Sequence, residues 1–153
     1  DDQTWEEEEP EEAASGANPD GSKWISSPIL AISGTTTNGT KVSEMKLGEV
    51  ITLTASTAGN SGKVYESGAE WRFYQTDSGK LTVSAASGYQ LVSVNVTFTV
   101  TNTGALLYNG DALTSGTDFS VSGSSAEFTV GNSGTATNGQ VRITSIKVTY
   151  KAE

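Results

Sequence analysis

The most regular stretch of the chain is 91–100, where Val92, Val94, Val96, Phe98 and Val100 share one parity and Ser93, Asn95, Thr97 and Thr99 the other. A period of two is that of a β-strand with one face in a core and one in water. Shorter alternating segments bounded by small polar residues recur from Trp24 onward. They predict strands over 29–33, 50–55, 70–75, 80–85, 91–100, 118–122, 125–130 and 139–150. In the last of these the apolar parity changes between Val141, Ile143 and Ile146, Val148, Tyr150, which predicts a β-bulge near Thr144 and Ser145. Asn38-Gly39, Asn109-Gly110 and Asn138-Gly139 suit turns with positive φ, and Ser122-Gly123-Ser124 is short enough to close a hairpin. No helical stripe exceeds one or two turns. About eight strands imply an all-β fold, a two-sheet antiparallel β-sandwich. A jelly-roll-like winding is favoured over an immunoglobulin-like one, because the Cys, Trp, Cys framework is missing and both terminal strands suit a core.

Composition changes this picture at the N-terminus. The 153 residues suffice for one domain with a core of its own. The net charge of −9 is concentrated: residues 1–20 hold nine acidic side chains and no basic one. Trp5 is the only large apolar residue there, so 1–21 reads as a disordered acidic leader and 22–153 as a single sandwich domain. Trp24 reads as the anchor that docks the chain onto the body. Beyond the leader the charges balance, so no basic stripe is expected and nucleic acid is excluded as a partner. No apolar run approaches the length of a transmembrane segment. A start at Asp1 followed by an acidic linker is compatible with removal of a signal peptide or a lipid-anchoring segment.

Candidate chemistry is sparse. Without cysteine or histidine there are no disulfides, no thiolate or imidazole catalysis and no ordinary zinc site. Glu66, Glu70, Asp77, Asp111, Asp118 and Glu127 are not spaced to specify an acid-base pair, and no nucleophile elbow or phosphate-binding loop occurs. Asp111 does not begin a calcium loop, since Ala112, Leu113, Thr114 and Ser115 lack the alternating oxygen ligands. No cofactor is expected; a structural calcium held by distant strands has no motif behind it. The segment Glu70-Trp71-Arg72-Phe73-Tyr74-Gln75 has more character. With Trp71 and Phe73 in the core, Arg72 and Tyr74 emerge together on the opposite face. A guanidinium beside an aromatic ring suits a sugar or a carboxylate. The plainer reading is cross-strand packing of Tyr74, with Arg72 paired to Glu70 or a neighbour. Tyr65, Tyr89 and Tyr108 adjoin turns, where each either offers a platform or folds back to cap the sandwich. Arg72, Tyr74 and Tyr108 are the candidate ligand contacts. Arg142 is expected to pair with Asp77 or Asp118.

Trp71-Arg72-Phe73-Tyr74, the run from Gly88 to Val94 and the closing run from Gly139 to Tyr150 resemble β-sandwich modules of secreted proteins and surface lipoproteins of Bacteroidetes. Those modules are functionally uncharacterised and often lie near glycan-handling or nuclease domains. The resemblance spans roughly 45–150 and implies an extracytoplasmic, secreted or lipid-anchored location; it carries no catalytic residue onto this chain. The leader resembles the acidic linker that follows the lipidated cysteine of such proteins. The expected function is therefore a non-catalytic structural or protein-interaction module. The alternative is a carbohydrate-binding accessory module, and a carboxylate-dependent hydrolase is the remotest reading. The partners left open are a glycan or a surface protein.

Overall fold

The computed structural model describes residues 13–153. The chain enters through β1 (Ala14–Ala17), β2 (Lys23–Pro28), a single helical turn α1 (Ile29–Ile32), β3 (Thr40–Lys41), β4 (Glu44–Leu47), β5 (Ile51–Ala55) and β6 (Lys63–Tyr65). It continues through β7 (Glu70–Tyr74), β8 (Lys80–Ala85), β9 (Tyr89–Thr101), β10 (Gly104–Tyr108), β11 (Asp111–Ala112), β12 (Asp118–Ser120), β13 (Ser125–Asn132) and β14 (Gln140–Ala152). These form two antiparallel sheets, an all-β sandwich with fourteen strands among the described residues rather than about eight. The strands missed by periodicity, such as Gly104–Tyr108 and Lys63–Tyr65, are too short or too uniformly apolar to alternate visibly.

The larger sheet is organised around β14. One edge of that strand pairs with β9 along its whole length, and β12 flanks β9. The other edge pairs first with β7, from Gln140 to Ile143, and then with β2, from Ser145 to Tyr150. The second sheet runs β11-β10-β13-β8-β5-β4. From β7 onward the chain crosses between the sheets at almost every connection. The inner faces enclose one core, with Trp71, Phe73, Phe128, Leu53, Leu81 and Ile143 fully buried. Trp71 meets Phe73 edge to face at 5.2 Å, and its indole N–H donates to the Gly62 carbonyl at 3.0 Å. Its polar atom is thereby satisfied inside the core.

The expected bulge is present. Ile143 pairs with Phe98 and Ser145 with Thr97, so Thr144 is the extra residue. A second irregularity lies where Thr149 opposes Ser93 but Tyr150 opposes Leu91, which skips Val92. That shift turns Leu91 into the core and Val92 partly out of it, while Val100 at the far end of β9 is exposed.

Other expectations are corrected. The segment expected as a strand over 29–33 is a helical turn, because Ile29, Leu30 and Ile32 all pack on the core, a spacing that a turn of helix satisfies and alternation does not. Ser122-Gly123-Ser124 joins no hairpin: β12 pairs with β9 and β13 with β8, so this turn crosses between sheets. Asn109-Gly110 does adopt positive φ at both residues. Gly139 serves a different need, since a Cβ there would fall 2.6 Å from the Gly104 Cα, and a Cβ on Gly104 would fall 2.5 Å from the Gln140 carbonyl. These two glycines let the sheets close on each other at that end. The boundary expected at residue 21 lies inside a β-hairpin, for β1 already pairs with β2 from Ala14; residues 1–12 of the expected leader lie outside the described residues.

Candidate functional site: the outer face of the larger sheet

Cross-strand partners share a face, so the pairing register maps the exposed side of the larger sheet row by row. One row reads Ala14, Ser26, Lys147, Asn95, Asp118. Beside it runs Gly16, Trp24, Thr149, Ser93, Ser120. Further along β14 a third row reads Lys41, Lys63, Arg72, Arg142, Thr99. The bulge at Thr144 is what unites them. Arg142 and Lys147 are five residues apart, an odd separation that a regular strand would put on opposite faces. The extra residue restores the parity.

Where β14 exchanges β7 for β2, the sheet branches and its surface opens into a groove of about 650 Å³. Ser26, Asn95, Thr97 and Ser145 line it with hydroxyls and amides, Lys147 adds a cation, and Ala14, Pro28 and Ile146 supply apolar wall. Among the described residues no aspartate or glutamate lines it. Asn95 is held by donating its side-chain amide to Asp118 at 2.9 Å. In the neighbouring row the Trp24 indole lies against Gly16, with no room for a Cβ, and the Lys147 ammonium sits 5.1 Å from the ring centroid. Trp24 therefore packs on β1 on the outer face of the sheet, rather than docking into the core, and also flanks the groove.

The Arg72 neighbourhood follows the plainer expectation. Its Nε donates to Glu70 Oε2 at 2.6 Å, and its guanidinium lies 3.7 Å from the Tyr65 ring centroid. Burial alone would lower its pKa, but hydrogen bonding to Tyr74 and Glu70 outweighs it, so the group is held above its ordinary value and stays charged. Glu70 is nearly buried, and its carboxylate rests on Gly68, where a Cβ would come within 2.6 Å of Oε1.

Arg142 does not meet Asp77 or Asp118. Its Nη1 lies 3.7 Å from Glu70 Oε2, and its Nε and Nη2 donate to Gln140 at 3.3 and 3.1 Å. Asp77 instead accepts from the Asn60 amide and the Ser61 hydroxyl, fixing the loop before β6.

Of the three candidate contacts, Arg72 and Tyr74 emerge on this face, both half-buried. Tyr108 belongs to the second sheet, where its ring packs against Phe119 at 5.8 Å and Phe128 at 5.4 Å and closes the core. Tyr89 folds against Tyr150 at 5.7 Å in the same capping manner. Sequence reasoning missed Lys147, Asn95 and Ser26, which only the register brings together. Among the described residues no three acidic side chains gather to hold a metal ion, and no helix is long and apolar enough to cross a membrane. No protein-family model, curated protein or solved structure matches the chain.

Proposed function

We propose that this chain is a non-catalytic, extracytoplasmic module that binds carbohydrate on the outer face of its larger sheet. The groove at the branch of β14 carries this reading. Its volume lies in the range of small-ligand sites, and hydroxyl, amide and ammonium groups converge on it from β2, β9 and β14. Such groups hydrogen-bond sugar hydroxyls without needing a charged ligand, and the Trp24 indole beside them offers an apolar edge. Glycoside hydrolysis needs two carboxylates across the bond, and the described residues of the groove lining supply none.

The test is a glycan array probed with the full chain, with calcium and again with chelator, against Lys147→Ala and Asn95→Ala proteins. A reproducible hit that weakens about fivefold or more in either variant is expected, as for loss of one hydrogen bond to a charged or polar group. Silence under both conditions from protein shown to be folded would overturn the reading and leave a structural or protein-interaction role.

A further inference from the structure

The row Lys41, Lys63, Arg72, Arg142 sets four basic residues side by side on four adjacent strands, β3, β6, β7 and β14. Every neighbouring pair in it is a like-charge pair. Like charges directly opposite each other destabilise a sheet, so stability alone does not account for three such pairs in succession. The expectation of no basic stripe is corrected here: a balanced charge count does not prevent the register from gathering cations. At the usual strand spacing the row spans about 14 Å. Among the described residues a single carboxylate, Glu70, lies within salt-bridge distance of it. Lys41 and Lys63 lean toward the loop before β6, donating to the Thr57 carbonyl at 2.8 Å and to Asn60 at 2.9 Å. These are neutral acceptors, which among the described residues leave the ammonium charges uncompensated.

We infer that this row binds the acidic substituents, carboxylate or sulfate, of an extended glycan that also occupies the groove; the inference rests on the carbohydrate reading above. Both features lie on one face of β14, and Arg142 and Lys147 connect them. Charge complementarity selects a polyanion. The hydroxyl-lined groove selects a polyhydroxylated one.

The experiment is affinity electrophoresis of the full chain through native gels containing polygalacturonate, heparin, neutral dextran or poly-L-glutamate, at low and moderate salt. Retardation by polygalacturonate or heparin that weakens with salt is expected, and which of the two acts separates carboxylate from sulfate recognition. Arg142→Gln should weaken it about fivefold, the size of one partly exposed charge contact. Because Arg142 also faces Glu70, the half-exposed Lys63→Gln serves as a second variant, with a similar loss at unchanged melting temperature. Equal retardation by poly-L-glutamate would overturn the glycan assignment in favour of an acidic peptide. Indifference of both variants would overturn the row as the site. Array binding of neutral glycans, lost in Lys147→Ala but without preference for acidic ones, would sink this inference and leave the groove standing. Absence of all glycan binding would end both.

Discussion

The two outer faces of the sandwich are built from similar strands yet use charge in opposite ways. On the second sheet, Lys46 pairs with Glu44 at 3.5 Å and Lys80 with Glu127 at 3.7 Å. The signs are matched, and the side chains are 43 to 67% exposed. Such pairs keep a surface soluble and add little else. On the larger sheet, Glu70, Arg72 and Arg142 are only 10 to 29% exposed, interlocked, and short of negative charge. A solvated face tolerates substitution, whereas a half-buried row in which cations outnumber their carboxylate stores electrostatic cost that a ligand can relieve.

The most damaging change expected is Trp71→Ala, which removes the floor beneath the Arg72 side of the larger sheet. A fully buried aromatic lost from a core costs about 3–5 kcal/mol, measured as a lower denaturant midpoint. A sharper contrast comes from two matched charge removals. Glu70→Gln leaves Arg72 and Arg142 facing each other without a counter-ion and should cost about 2 kcal/mol. Glu127→Gln on the other face should change stability by less than about 0.5 kcal/mol. Equal losses in the two would erase the distinction between the faces.

Ala69 holds φ 53° between the 3₁₀ turn Glu66–Gly68 and β7, a left-handed conformation that disfavours a side chain. Ala69→Gly should raise stability by at most about 1 kcal/mol, since relief of the steric cost is partly offset by the greater freedom of glycine in the unfolded chain. The smallest effect concerns the β1–β2 hairpin. Asp20 accepts hydrogen bonds from the Ser22 hydroxyl at 2.7 Å and the Ser22 amide at 3.0 Å, which hold its carboxyl below the ordinary aspartate value. Its contribution is therefore complete above the unfolded value and is lost as pH falls through the lower folded value. Amide protection in the hairpin, corrected for the intrinsic pH dependence of exchange, should fall across that acid window, and in Asp20→Asn that fall should vanish.

Much of the frame was legible because strand alternation is a local property. The parity of Val94, Val96, Val141, Ile143, Ile146 and Val148 is written in neighbouring residues, and so is the parity break that becomes the bulge at Thr144. The burial of Trp71 and Phe73 opposite Arg72 and Tyr74 follows from the same rule. Local pattern misled at 29–33, where tertiary packing chose a helical turn, and at Ser122–Ser124, where hairpin chemistry serves a crossing between sheets.

The candidate site was legible only in part, through Arg72. By itself the sequence determined an all-β chain, the faces of its long strands and the bulge that puts Arg142 and Lys147 on one side. Only the tertiary structure decided that Lys41, Lys63, Arg72 and Arg142 form one row, and that Ser26, Asn95 and Lys147 share one groove. The physical reason is that which face a residue takes depends on its immediate neighbours, whereas which residue lies beside it depends on the pairing of strands far apart in the chain. A balanced count of charges carries no trace of that pairing.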